Sequence, residues 1–521
     1  MQNSNPSRPL MVESLAHWLA SFFRANRVPL LSSLIWGILA YMFAFTNKLV
    51  NHDEVGQLFG KGATVSSGRW GLGALDSIFP NYSMPWIYGI LTLVFLALGI
   101  CLIVRLFHVK SKLLQVLLSG CIIVFPSVIG LFGYMFTSSA YGLSFFLCIL
   151  ALWLLTREQK LCWLLALGFQ VASLSIYQSY ISIAASLLVL LLIRDLLTGA
   201  DVVAVLKKGI GYVAFLIVSL AIYYGATQVI LKWKNVSFND YAAGSITLSL
   251  SGIMEGIRLA YVNFFRFFYW AHHRLMPTSA SRQLHFFLFC GIFLVILLLI
   301  FPQKKQRLAR YGLLAVLVGL LPLAINCMYL ITAEDSIHTL VLYSFTSVYV
   351  LAAMVMDLAL PQLLTRKLTE LLRRLALDGM AVLLAGILII NIYVANESYL
   401  NMYLRYENAY SFFTSLTTQI QSMPEFTEGT QIAVIGSWQS PEYYDKEFDT
   451  NHYLMGTMGF LPSDYTYPAF LNYYIGFPVE CVNTEEAEAL RQTEAFRNMA
   501  TYPYYGSIDV IDGVIVVKLS D

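Results

Sequence analysis

Eleven apolar runs, most of them long enough to cross a lipid bilayer, leave a chain like this few ways to fold. They lie near 28–47, 86–106, 113–133, 138–156, 161–176, 180–198, 209–231, 284–302, 311–330, 339–360 and 379–396, and only Tyr177 to Ser179 separates the fifth from the sixth. A spanning helix needs about 20 predominantly apolar residues. Inside the bilayer the backbone must pair its own polar groups, which a helix does within one segment. The expected fold is mainly α: a polytopic membrane bundle of about 11 transmembrane helices. The first run is too long for a cleaved signal peptide, and no small-residue cleavage site follows it.

Composition narrows the function. Of 521 residues, 58% are hydrophobic and 12% are charged, against about 25% charged in an ordinary soluble chain. That excludes a soluble enzyme and also a disordered chain. A net charge of +2 gives no reason to expect a nucleic-acid partner. Six of the seven cysteines lie in apolar runs, with no CxxC or Cys/His cluster, so neither a zinc signature nor a disulfide framework is present. Mid-span polar residues such as Gln170 and Asn326 are too few for a proton relay or ion path, which weighs against a transporter.

Basic residues set the orientation. With the N-terminus cytoplasmic, 19 of the 33 Lys and Arg fall in short inside segments. The outside segments before the last run are longer and hold nine, and the C-terminal part is then extracytoplasmic. Residues 1–27 carry Leu15, Trp18, Leu19, Phe22 and Phe23 at helical spacing, followed by Arg24 and Arg27. That pattern fits an interfacial amphipathic helix or a plain extension of the first span. The transmembrane part covers 28–398, with long outer loops at 48–85 and 232–283. Beyond it, 399–521 is more polar, with short strands expected at Ile432 to Ile435 and Val514 to Val517. A helix is expected over Glu485 to Asn498, and a Tyr-rich helical stretch over Tyr399 to Met423. This reads as a small extracytoplasmic α/β domain.

Costly polar residues in a membrane protein mark function, and here they gather in the outer loops. Directly beyond the first span come Asn51, His52, Asp53 and Glu54, and further along the same loop Gly68, Arg69 and Trp70. Two adjacent carboxylates suit a general base or a divalent cation, or are simply solvated. Neighbouring carboxylates raise one another's pKa, which helps a base work near neutral pH. Tyr177 and Gln178 form a very short outer turn. The 232–283 loop carries FFRFFYWAHHRLMP, with Arg266, Trp270, His272, His273 and Arg274. Basic groups among aromatics fit a phosphate beside a sugar ring, or an interfacial aromatic belt. Glu334, Asp335 and His338 close the set as acceptor or supporting residues. No HxxxH-type ligand spacing occurs, so no metal or other cofactor is expected.

With Asp53 and Glu54 just after the first helix, the chain resembles a GT-C glycosyltransferase. Gly68-Arg69-Trp70 and Tyr177-Gln178 narrow the resemblance to the bacterial GtrII glucosyltransferases, which modify O-antigen and related surface glycans. It covers roughly residues 28–400. The pair is Asp-Glu here rather than the commoner Asp-Asp, and the C-terminal domain has no match. The resemblance implies a polyprenyl-phosphate-linked hexose donor, with glucose the expected hexose, a surface-glycan acceptor and a site on the outer face of the bacterial cytoplasmic membrane. A separate polyprenyl-phosphate glycosyltransferase and a flippase would supply the donor. Asp53 would then deprotonate the acceptor, with Glu54 orienting it or assisting. His52, Arg69, Arg266, His272, His273 and Arg274 would serve the donor phosphate and sugar. Trp70, Tyr177 and Gln178 would contact the sugar or shape the pocket. A lipid-linked glycan polymerase or ligase, or a lipid or glycan transporter, is the alternative.

Overall fold

The structure, a computed structural model, describes residues 11–58, 64–77, 83–157, 159–238, 250–269, 279–300, 307–332, 337–360, 367–427, 429–437 and 466–521. Its first half runs α1 (Met11–Ala25), α2 (Arg27–Thr46), α3 (His52–Gly56), α4 (Trp70–Asp76), α5 (Pro85–Leu106), α6 (Lys112–Ile123), α7 (Pro126–Gly133), α8 (Met135–Leu155), α9 (Lys160–Ile176) and α10 (Ile181–Leu197). There follow α11 (Val202–Lys234), α12 (Leu250–Tyr269), α13 (Ser279–Ile300), α14 (Arg307–Ile325), α15 (Ser347–Ala359) and α16 (Lys367–Gln421).

Among the described residues, nine helices are long and apolar enough to cross a membrane, or ten when α6 and α7 count as one span bent by 44°. The bend falls where Pro126 opens α7, because proline has no N–H to continue the preceding ladder. The 17-residue α9 is the shorter apolar helix at the fifth run. Every expected run therefore has its helix, although limits move. The helix of the seventh run, α11, begins at Val202 because the Asp201 side chain accepts the N–H groups of Val203 and Ala204, a standard N-cap. The helix of the ninth run, α14, stops at Ile325, and a tight 3-10 turn over Cys327–Leu330 follows. The 232–283 segment is not loop throughout, since α12 occupies twenty of its residues.

Several polar contacts link the segments expected inside. Arg105 donates to Asn26 at 2.7 Å, and Lys208 pairs with Asp195 at 2.5 Å. The Arg310 guanidinium holds the carbonyls of Leu196 and Ala200 at 3.0 and 3.1 Å. Asp357 accepts the N–H groups of Lys110 and Ser111 at 2.9 and 2.8 Å. A buried charge such as Arg310 needs such partners, and these bonds tie the short connections together.

The last helix changes the expected layout of the chain's end. At 55 residues, α16 is about 80 Å long, more than twice the hydrocarbon thickness. Its first part buries Leu377, Leu384, Leu388 and Tyr399 in the bundle, and its last part buries Ala409, Phe413, Leu416 and Ile420 in a second core. The Tyr399 to Met423 stretch is thus continuous with the last span.

A four-stranded sheet packs on this extension. It comprises β1 (Gln431–Ile435), β2 (Glu480–Cys481), β3 (Ile508–Ile511) and β4 (Val514–Lys518), in the order β2-β1-β4-β3, with β1 parallel to β2 and β4 and a β3–β4 hairpin. Ile432, Ile515 and Val517 face α16, and Ala433, Ile435 and Val516 face Leu490, Phe496 and Met499. Alternation along the strands gives each face its own apolar layer. The helix expected over Glu485 to Asn498 is two helices, α17 (Thr484–Arg491) and α18 (Glu494–Asn498). Thr493 breaks it by capping the Phe496 N–H.

Candidate functional site

The acidic pair sits on α3, a helix of five residues. Asn51 is its N-cap: the side-chain oxygen accepts the Glu54 N–H at 2.8 Å, while the amide donates to the Gly133 carbonyl at 2.6 Å. The cap thus fastens α3 to the bend between α7 and α8. Its two carboxylates live in opposite surroundings. Glu54 is 0% exposed and pairs with Lys48 at 2.5 Å. Its Oε1 also accepts from the Ser83 hydroxyl, and its Oε2 accepts the Phe136 backbone N–H at 3.2 Å. That N–H belongs to the first turn of α8, where donors lack helical partners and the helix dipole favours an anion. Asp53, one residue earlier, is only half-buried. His52 opens the helix.

The second group forms around Arg69. Gly68 takes φ +75, the left-handed region that glycine occupies without penalty. A Cβ there would meet the Tyr223 hydroxyl at 2.7 Å and the Gln178 amide at 2.9 Å. Those groups grip the loop: the Gln178 amide donates to Ser67 O at 2.9 Å, and Tyr223 donates to Gly68 O at 3.0 Å. Trp70 donates its indole N–H to Thr227 at 3.1 Å. The turn thereby aims Arg69 at α8, where its guanidinium donates to the Tyr141 hydroxyl at 3.0 Å and lies 5.7 Å from the Tyr177 ring centroid. Tyr177 stacks on Tyr141 at 4.2 Å.

These groups share a scaffold. Phe136, which meets Glu54, and Tyr141, which meets Arg69, are five residues apart on α8, about 7.5 Å along its axis. His338 adds a third element beside Arg69. Burial, then the Arg69 charge, lower its pKa to about 4, so the imidazole is neutral near pH 7. Its Nδ1 is buried with no hydrogen-bond partner among the described residues. A small cavity lined by Ser127, Tyr141, Tyr177, Tyr180, Leu340 and Tyr343 adjoins this group. Among the described residues, no three His, Cys, Asp or Glu side chains converge as a metal site.

Residues 42–357 match the family described as Glucosyl transferase GtrII. The chain belongs to that family. As a GtrII family member it is a multi-pass membrane glycosyltransferase. The matched stretch runs from within α2 into the last turn of α15 and holds both site groups, but not α16 or the sheet. No curated protein and no solved structure matches the chain.

Of the residues singled out in the sequence, the structure brings Arg69, Trp70, Tyr177 and Gln178 together and sets His338, expected as an acceptor or supporting residue, beside Arg69. The FFRFF segment is largely packing. Phe264, Phe267 and Phe268 are buried, with Phe267 at 4.6 Å from Phe345, while Arg266 stands exposed. Trp270, His272, His273, Arg274, Glu334 and Asp335 lie outside the described residues. Sequence reading missed Lys48, Ser83, Tyr141, Tyr223 and Thr227 as supporting residues. Lys48 and Ser83 carried a faint signal as polar residues of the same outer loop. Tyr141 and Tyr223 carried none, because each sits inside an apolar run.

Proposed function

We propose that this GtrII family member transfers a hexose, glucose in the simplest case, from a polyprenyl-phosphate-linked donor to a cell-surface glycan. Transfer takes place on the extracytoplasmic face of the cytoplasmic membrane, with the sheet region on that side. The supporting observation is the division between the two carboxylates. Glu54 already accepts from an ammonium, a hydroxyl and a backbone N–H, so its charge is spent on fixing α3. Asp53, half-buried where Glu54 is fully buried, is the carboxylate more open to an incoming hydroxyl.

In this reading Asp53 takes the proton of the acceptor hydroxyl as its oxygen bonds to the anomeric carbon. The bond to the lipid phosphate breaks, and the phosphate leaves with the electron pair. Arg69, with its planar fork of donors, stabilises the charge gathering on that phosphate. Neutral His338 supplies a nitrogen at the same end. Trp70 and Gln178 shape the pocket, since their polar groups hold Thr227, Ser67 and Tyr223. Tyr177 offers a ring for the sugar or for Arg69.

The experiment is donor dependence. Purified protein should release hexose from polyprenyl-phosphate glucose and pass it to glycan taken from the source cells' surface, and should leave nucleotide-linked glucose untouched. Transfer from the nucleotide sugar, with none from the lipid-linked one, overturns the proposal.

A further inference from the structure

The acidic helix is held from two sides, and only one of them is the bundle. Asn51 and Glu54 bind Gly133 and Phe136, whereas Val50 and Val55, both 0% exposed, enter the second core with Phe413, Ile420, Phe470, Leu471 and Val517. One helical turn has too few internal bonds to persist alone. Its geometry is therefore fixed jointly by the bundle and by a C-terminal region that lies beyond the family match.

That region also brings a polar group to the site. Phe470–Ile475 is a π-helical turn, a form that often marks functional positions, and Tyr474 stacks on Phe470 at 5.4 Å within it. The Tyr474 hydroxyl is buried and has no hydrogen-bond partner among the described residues. Burial, and then the nearby Glu54 carboxylate, raise the phenol above its ordinary pKa. It is therefore a protonated donor near neutral pH, next to the acidic helix. A buried hydroxyl left unpaired costs stability, a cost recovered when a ligand supplies the partner.

We infer that Tyr474 is an acceptor-binding residue: its phenol donates a hydrogen bond to a hydroxyl of the acceptor sugar held beside Asp53. The inference rests on the transferase reading above and extends the site onto the C-terminal region. It predicts a split that a packing role does not produce. Tyr474→Phe removes only the hydroxyl, so it relieves an unpaired group in the empty protein and deletes a bond in the occupied one.

The test uses the full-length purified protein, polyprenyl-phosphate glucose as donor, and either source-cell surface glycan or water as acceptor. For Tyr474→Phe, kcat/KM for the glycan should fall about tenfold, the worth of one well-made hydrogen bond. The donor KM and the rate of donor hydrolysis by water should stay at wild-type values, and Tm should not fall. Wild-type transfer with Tyr474→Phe at parity overturns this inference alone. So does a parallel loss of Tm, hydrolysis and transfer, which would make Tyr474 a packing residue. A wild-type protein that consumes no lipid-linked donor overturns the transferase reading and this inference with it.

Discussion

Glu54 accepts the backbone N–H of Phe136 at 3.2 Å, so the second carboxylate of the acidic pair is also a capping group for α8. Lys48 on its other oxygen makes it one half of an ion pair in which Glu54 is fully buried and Lys48 is 28% exposed. Removing one partner leaves the other uncompensated. Glu54→Gln should therefore lower stability by about 2 kcal/mol, below the cost of breaking a fully buried pair because Lys48 reaches water. The double variant Lys48→Met with Glu54→Gln should cost less than the two single changes added together. Thermal melting of the three variants against wild type checks both statements.

Gly68 is the hinge on which Arg69 is aimed. Gly68→Ala sets a side chain at φ +75 and drives its Cβ toward the Tyr223 hydroxyl at 2.7 Å. The backbone term alone costs about 1–3 kcal/mol, and a misplaced contact at the chemistry costs about 10²-fold in rate. Turnover should drop by about that factor while the bundle melts within a few degrees of wild type. Limited proteolysis near the 64–70 turn should show the loop loosened.

His338 gives the protein an acid-sensitive point. Its folded pKa of about 4 lies below the ordinary value of about 6.5. Between those values the unfolded chain binds more protons than the folded one, so stability rises with pH across that window. The contribution is complete above about pH 6.5 and is lost as pH falls toward 4. His338→Gln should flatten the Tm-against-pH curve between pH 4 and 6.5. A curve unchanged from wild type would show that His338 does not titrate there.

Most of the fold was legible because bilayer physics admits few alternatives. Each long apolar run had to be a helix, and each run has one. The site was legible in part. Gly68, Arg69, Tyr177 and Gln178 announced themselves as polar or glycine residues between apolar runs, and they do meet. What stayed hidden depends on contacts between distant segments. Tyr141 lies 72 residues from Arg69, and Phe136 offers Glu54 a backbone N–H that any residue would have. The role of Val50 and Val55 was hidden for the same reason: a valine beside a span end looks like membrane, and only the fold shows it buried against Phe413 and Phe470.

The orientation rests on charge asymmetry and has a direct check. Seven free cysteines, one of them the exposed Cys290, require a cysteine-free background. Glu370→Cys should resist an impermeant thiol reagent in intact cells, and Ser437→Cys should react with it. The reverse pattern would put the acidic pair on the cytoplasmic side and remove the case for a lipid-linked donor.

The most direct measurement compares transfer by Asp53→Asn with transfer by wild type, using polyprenyl-phosphate glucose as donor and matched melting curves. Asn keeps the size and most hydrogen bonds of Asp but cannot take up the acceptor's proton. The expected loss is about 10²–10⁴ in kcat, with Tm close to wild type, because the substitution is nearly isosteric and leaves the Lys48–Glu54 pair in place. If Asp53→Asn keeps more than about a tenth of wild-type turnover, well outside the range for losing a general base, Asp53 is not the base and the division of labour between the two carboxylates is wrong.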